Sequence, residues 1–348
     1  MLEWMDAADP GRVHTEGRMA RAAVEHAREQ VAALVGARPR EIVFTSGGTE
    51  AANAAVFGAV SSGRGEHIVC PAVEHSCVRD PSARARVTLT AVDRLGRVDV
   101  DALTAAIEPG HTVLVHCQWG NHEVGTLQPV TAVVAAAHEH RALVHVDAAQ
   151  AVGHVEVDFA SVGADLMTVS AHKFGGPKGA GALVVRRGLR LAPFVLGGEQ
   201  ERARRAGMEN VAAIVGFGAA AAAVRIDEAV VERARTERLA EATLAVDGVV
   251  PYGDRAADGR LPHIVCFGVE GVEAEAVLLA LDQAGVAAHS GSACSSESLE
   301  PSPVLEAMGV DAERSLRLSV GWSTTEADIT HFAEVFPGVV ARLRSLRA

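Results

Sequence analysis

Short apolar runs alternate along this chain with segments whose apolar residues recur three and four positions apart, the patterns of buried strands and of one-sided helices. The runs at 41–45, 67–70, 112–117, 143–146, 166–170 and 181–185 read as strands, and 18–35, 49–59 and 130–140 read as helices. This alternation predicts an α/β domain with a mostly parallel central sheet flanked by helices, because parallel strands need crossover connections. An arginine-rich stretch at 225–244 reads as a long helix, after which a new alternation begins at 264–268, 272–284 and 316–320. The expected division is a large domain over 1–235 and a smaller C-terminal α+β domain over 236–348. The alanine run 219–223 fits a closely packed helix better than disorder.

Length agrees with two domains, since the chain has 348 residues and a domain takes about 150. The 44 acidic and 32 basic residues leave a net charge of −12, which argues against nucleic acid as a partner because phosphate neutralisation needs clustered positive charge. The small-apolar run at 211–224 has 14 residues, short of the roughly 18 that suggest a membrane span. No apolar run behind a basic head opens the sequence, so a cytoplasmic protein is expected. Five cysteines, at 70, 77, 117, 266 and 294, form no CxxC pair and argue against a disulfide framework.

The basic residues narrow the chemistry. Only Lys173 and Lys178 are lysines, and both lie in HKFGGPKG. Arginine replaces lysine on a solvated face but does not deprotonate to attack a carbonyl. A chain this poor in lysine marks where an amine is needed. Lys178, inside a glycine-rich turn, has an ordinary surface explanation; Lys173 follows a strand.

Ligands of open α/β sheets bind beyond the carboxyl ends of the strands, and the polar clusters fall there. TSGGTE, WGNHE, DAAQ and SAHK each follow an apolar run. The turn Ser46–Gly47–Gly48–Thr49 opens a helix whose free amides and positive dipole end suit a phosphate. Alone it reads more readily as an ordinary N-cap with a glycine turn. Asp147 ends a strand so apolar that its carboxylate needs a cationic or hydrogen-bonding partner. Pyridoxal phosphate satisfies all three clusters, with its phosphate at the turn, its ring nitrogen at Asp147 and its aldehyde at Lys173. No GxxxxGK[ST] pattern is present, and GGPKGAG joins two strands, which removes the nucleotide-loop readings. No histidine and cysteine spacing matches a closed zinc site, so no metal is expected.

With these residues assembled, the chain resembles the NifS- and IscS-like cysteine desulfurases of the class V aminotransferase-like group of pyridoxal-phosphate enzymes. The stretches that carry the likeness are IVFTSGGTE, EHSCV, NHEVGTLQP, HVDAAQAVG, SAHKFGGPKGAGAL, GGEQER, SGSACSSESLEPSPVL and LRLSVG, in the family's order and spacing. The resemblance implies the fold-type I transferase architecture. It implies Lys173 as the residue that binds the cofactor aldehyde, Asp147 as partner of the ring nitrogen and Gln150 as a hydrogen bond to the ring hydroxyl. Gly48, Thr49, Ser170 and His172 would hold the phosphate, and His75 would stack on the ring and move protons. Arg317 would receive the substrate carboxylate as a bidentate pair. Cys294, in the glycine- and serine-rich HSGSACSSES, would take sulfur from L-cysteine as a persulfide and deliver it to a protein acceptor. Cys70, Cys117 and Cys266 sit in apolar strand patterns and read as small buried hydrophobes, with Cys77 undecided. A homodimer is the family expectation.

Some positions depart from the family. His122 stands where a second asparagine is usual, near the ring hydroxyl; Met208 stands where a threonine usually meets the phosphate of the neighbouring subunit; Glu199 replaces a glycine. The usual opening segment before DPGRVH is missing. Two other readings stand beside the desulfurase: a different amino-acid lyase or aminotransferase on the same scaffold, and a catalytically weak homologue that binds partners in sulfur trafficking.

Overall fold

A computed structural model describes residues 1–290 and 301–346. Seven strands form one sheet: β1 (Ile42–Thr45), β2 (His67–Pro71), β3 (Arg86–Thr90), β4 (Thr112–Gln118), β5 (Leu143–Asp147), β6 (Leu166–Ser170) and β7 (Gly181–Val185). Their spatial order is β1-β7-β6-β5-β4-β2-β3, and only β7 runs against its neighbours. The mostly parallel α/β sheet expected from the apolar runs is present. β3 is the strand the pattern did not predict: it is a half-exposed edge in which arginine and threonine alternate with apolar residues.

Helices form where apolar residues share one stripe. α1 (Thr15–Leu34) buries Ala20, Val24, Ala27 and Val31 and starts at His14, whose side chain accepts from Gly17 N. It packs against the helix Val211–Ala223 so closely that a Cβ at Gly218 would lie 2.6 Å from Ala27 Cα. The alanine run is thus a packed helix. α2 (Gly48–Val60) lays Ala51, Ala55, Val56 and Ala59 on a sheet face that carries Leu114, Leu143 and Leu166. α3 (Ser76–Ser82) is a two-turn helix after β2.

Side chains two apart in a strand share a face. Toward the carboxyl ends, the face beneath α2 therefore changes from Leu114, Leu143 and Leu166 to His116, His145 and Thr168, and then to Gln118, Asp147 and Ser170. The apolar tier anchors the sheet, and the last tier forms its rim.

The chain divides into two compact units. The first comprises Met1–Thr90, Val100–Trp119 and Pro129–Ile226, and the second comprises Ala91–Asp99, Gly120–Gln128 and the chain from Asp227 onward. The helix Ala229–Leu244 runs unbroken through position 235 and lies in the second unit. There β8 (Val249–Tyr252), β9 (Ile264–Val269) and β10 (Ser315–Ser319) form an antiparallel sheet in the order β10-β9-β8. Its core joins Val265, Phe267, Leu316 and Leu318 to Phe332 and Phe336 of the helix Glu326–Ser345. That last helix was absent from the sequence expectation; a Thr325–Asp328 capping box starts it. Among the described residues, no helix is long and apolar enough to cross a membrane.

Candidate active site

The rim of the seven-stranded sheet gathers most of the expected site residues. β1 ends at Thr45, whose hydroxyl donates to Gly47 O at 2.9 Å, and α2 begins at Gly48. The first amides of α2 have no helical acceptor and point outward, as an anion site requires. Below them, Ser170 on β6 pairs with Gly181, which also pairs with Thr45. Gly181 has to be glycine, because a Cβ there would lie 2.7 Å from Gly47 Cα. A Cβ at Gly48 would lie 3.4 Å from both Ser170 Cβ and Thr168 Cγ2, so these two side chains floor the turn. Ser170 Oγ lies 3.0 Å from His172 Nδ1. Burial, then the charges of Lys173 and Lys178, push the His172 imidazole below its ordinary pKa.

Lys173 sits on the short turn Ala171–Phe174 that follows β6. His154 Nε2 donates to Lys173 O at 3.0 Å, which fixes the backbone of that turn. The approach is tight, since a Cβ at Gly153, where φ is +91°, would lie 2.4 Å from Phe174 Cβ. Asp147 is 9% exposed and ends β5; its Oδ1 accepts from Ala149 N at 3.0 Å and its carbonyl from Trp119 N at 2.8 Å. Gln150 follows in the turn after β5, half-buried.

His75 is the N-cap of α3, and its Nδ1 accepts from Cys77 N at 3.1 Å. An accepting Nδ1 leaves the proton of the neutral ring on Nε2. His75 and Thr49 line the same shallow cleft of about 230 Å³, with Cys77 and Asp80. The preceding Glu74 is buried and accepts from Gln118 N, which ties the start of α3 to β4. Sequence reasoning passed over Glu74; a carboxylate in an otherwise apolar stretch was the available signal.

His122 and Arg317 meet in the second unit, where Arg317 Nη1 donates to His122 O at 3.0 Å. Arg317 lies on β10 opposite Cys266, and its backbone pairs with His289. Its Nε is buried with no hydrogen-bond partner among the described residues. His122 Nε2 lies 3.5 Å from Glu123 Oε1, and Glu123 Oε2 accepts from Ser302 Oγ at 2.6 Å.

Cys294 lies outside the described residues. The other four cysteines are free, and each is held as a thiol. Burial pushes Cys70, Cys77 and Cys117 above the ordinary thiol value and Cys266 up to about 12, with Asp147 and Glu74 adding to the effect at Cys77. Cys77 is therefore a poor nucleophile despite its place beside His75.

Of the unusual positions, Met208 is 68% exposed. In GGEQER the carboxylate with a structural role is Glu201 rather than Glu199. It is buried and forms a bidentate pair with Arg28, with both N···O distances 2.7 Å.

A glycine turn at a helix start after β1, a buried aspartate ending β5 and a lysine turn after β6, on the mostly parallel sheet shared with the solved structures, place the fold among the fold-type I transferases. The chain belongs to the class-V aminotransferase family, whose family model matches residues 4–332. It is 40% identical to "Cysteine desulfurase IscS" of Dictyoglomus turgidum over 97% of this chain and 89% of that protein. It is 39% identical to "Cysteine desulfurase IscS 1" of Archaeoglobus fulgidus over 99% and 94% respectively. Among solved structures, a "NIFS-like protein" superposes with a TM-score of 0.90 at 28% identity, covering 98% of this chain and 94% of the other. A NifS-like protein from Rickettsia africae gives 0.88 at 29%, with coverage of 98% and 94%.

Proposed function

We propose that this chain is a pyridoxal-phosphate-dependent cysteine desulfurase that converts L-cysteine to L-alanine and passes the sulfur to a protein acceptor through Cys294. The observation that carries the reading is the single rim on which a buried carboxylate and a lysine stand at the ends of the neighbouring strands β5 and β6, with an amide-lined turn at the end of β1, separated from β6 by β7. The residues present fit the cofactor: Gly48 and Thr49 offer open amides above Ser170 and His172, and Asp147 offers a buried acceptor that suits a protonated ring nitrogen. Gln150 would meet the ring hydroxyl, with His122 near it, and Lys173 would bind the aldehyde. When bound, the cofactor supplies an aldehyde that holds an amine and a ring that withdraws electrons from the adjacent carbon.

The remaining roles belong to side chains of this protein. His75 would face the ring and carries its own proton at Nε2, held in that tautomer by its cap on α3. Arg317 takes the substrate carboxylate with the guanidinium edge not used by His122 O. The Cys294 thiolate attacks the substrate sulfur. A sulfur–sulfur bond forms as the carbon–sulfur bond breaks, the bonding pair stays with the carbon skeleton, a proton replaces sulfur there, and alanine leaves. The 1–235 part would hold the cofactor and the 236–348 part the cysteine loop. A homodimer acting in a reducing cytoplasm completes the reading; four free cysteines are in keeping with such a compartment.

The test is borohydride reduction of cofactor-saturated protein followed by peptide mass analysis, together with alanine release from L-cysteine. Label on Lys173, alanine release and its loss in both Lys173→Ala and Cys294→Ala are the expected results. An unlabelled Lys173, or full turnover by Cys294→Ala, overturns the reading.

A further inference from the structure

Two buried histidines in the middle tier of the sheet have no part in the chemistry above. His116 and His145 are fully buried, and their Nδ1 atoms lie 2.9 Å apart. His116 Nε2 lies 3.1 Å from Ser82 Oγ on α3, and His145 Nε2 lies 2.8 Å from Thr168 Oγ1 on β6. We propose that Thr168, His145, His116 and Ser82 form a one-directional hydrogen-bond relay that positions the phosphate turn and the His75 helix relative to each other.

Donor counting fixes the direction. Ser82 Oγ donates to Val78 O at 2.6 Å, so toward His116 it accepts. His116 therefore carries its proton on Nε2 and accepts at Nδ1. His145 must then donate from Nδ1, which leaves its Nε2 to accept from the Thr168 hydroxyl. Every ring nitrogen is used once with both rings neutral. Neutrality agrees with burial, which pushes His145 down to about 3 and His116 well below its ordinary value, the neighbouring ring adding to the latter.

Each end of the relay touches the site at one remove. At one end the bonded hydroxyl sets the rotamer of Thr168, whose methyl packs under Gly48 beside Ser170. At the other, Ser82 closes the last turn of the helix whose first residue follows the His75 cap. Sheet and helix are thereby joined across β4, β5 and β6 by side chains that do not titrate in the physiological range. These are positioning residues. Their role toward the cofactor rests on the function proposed above, whereas the direction of the chain does not.

The experiment reads both separately. In protein labelled with nitrogen-15 at histidine, long-range proton–nitrogen spectra at pH 6 should show His116 as the Nε2–H tautomer, His145 as the Nδ1–H tautomer, and a nitrogen–nitrogen coupling between them. The reverse tautomers, or an imidazolium at either position, overturn the relay. Amide exchange is then followed without added cofactor in Thr168→Val and Ser82→Ala. Thr168→Val should speed exchange of the Cys77 amide about tenfold, and Ser82→Ala should do the same for Ala51 at the phosphate turn. Effects confined to the mutated end overturn the positioning role, whatever the fall in melting temperature. With pyridoxal phosphate bound, Thr168→Val should raise its dissociation rate about tenfold; an unchanged rate removes the link to the cofactor. If Lys173 is never labelled in wild type, the function fails while the spectra and exchange still decide the relay.

Discussion

Arg28 on α1 and Arg317 on β10 both carry a guanidinium into the interior, yet they are finished to different degrees. Arg28 spends its whole fork on the protein. Nη1 donates to Ile42 O and Glu201, Nη2 to the other Glu201 oxygen, and Nε to Glu25, while the plane lies 4.7 Å from the Phe44 ring centroid. Burial opposes its charge, but Glu201 and Glu25 outweigh that and hold it above its ordinary pKa. Arg317 uses Nη1 on a backbone carbonyl and leaves Nε buried with no partner among the described residues. A buried cation with every donor filled builds the fold. One with a spare edge keeps donors that a carboxylate would fill, the role proposed for Arg317.

The largest effect should come from breaking the finished case. Glu201 also accepts from Phe44 N at 2.9 Å on the edge strand β1, and it opens a turn in which Glu201, Arg202 and Ala203 have φ of +47°, +59° and +59°. Non-glycine residues hold such angles only where their surroundings impose them. Glu201→Ala leaves the buried Arg28 without its bidentate partner, with only the half-exposed Glu25 as counter-charge, and should lower unfolding free energy by about 3 kcal/mol, measured by urea denaturation. Replacing both residues with apolar ones of similar size should recover most of the loss. If the single variant costs under about 1 kcal/mol, Arg28 is not a finished structural pair.

The His116–His145 pair is the finished case built without a formal charge, and pH tests it. Both folded-state values lie below the unfolded value of about 6.5. The unfolded chain therefore takes up protons that the folded one refuses, and stability present above pH 6.5 is lost on acidification toward the folded values. Between pH 6.5 and 5 the loss from His145 should be about 1.6 kcal/mol, as the slope rises toward about 1.36 kcal/mol per pH unit, with His116 adding in the same direction. A flat unfolding free energy across that window would mean that the two rings ionise freely in the folded protein.

The unfinished case should respond in function rather than in stability. Arg317→Lys keeps the charge and removes the planar fork. It should raise KM for L-cysteine at least tenfold, about 1.4 kcal/mol, with melting temperature nearly unchanged. A variant that unfolds early with KM intact would make Arg317 a structural arginine like Arg28.

The difference between the two arginines also marks what the amino-acid order reveals. β4, β5 and β6 were legible because both faces of each are covered, leaving near-continuous apolar runs with polar residues only at the ends. Asp147, Lys173 and the glycine turn stood out for that reason. Arg28 and Glu201 are 173 positions apart, and nothing local to either announces the other. In GGEQER attention went to Glu199 because it departs from a motif, whereas burial singles out Glu201. His116, His145 and Thr168 were hidden differently: inside apolar strands they look like isolated polar residues, and only strand register aligns His116 with His145 and brings β6 alongside. β3 went unread because it is a mixed edge strand, and the place of Ala91–Asp99 and Gly120–Gln128 in the second unit went unread because neither segment has a period.

Arg205 and Glu50 supply the intermediate case and the smallest effect. Arg205 Nε donates to Glu50 Oε1 at 2.9 Å beside the glycine turn that opens α2, and Ser46 N donates to Oε2 at 2.9 Å. Burial works to raise the Glu50 pKa, but the bonds from Arg205 and Ser46 prevail and hold it below its ordinary value. A depressed carboxylate stabilises the fold above its unfolded value of about 4.3 and loses that contribution as pH falls through the folded value. Glu50→Gln keeps an acceptor for Arg205 and removes only the charge, so its cost at pH 7 should stay under about 1 kcal/mol. The gap between wild type and Glu50→Gln should then narrow steadily on acidification below pH 4.3 and widen again when the pH is restored. Unfolding curves that remain parallel down to pH 3 would show that ionisation of Glu50 contributes nothing, leaving Arg205 bound by geometry alone and nearer to Arg317 than to Arg28.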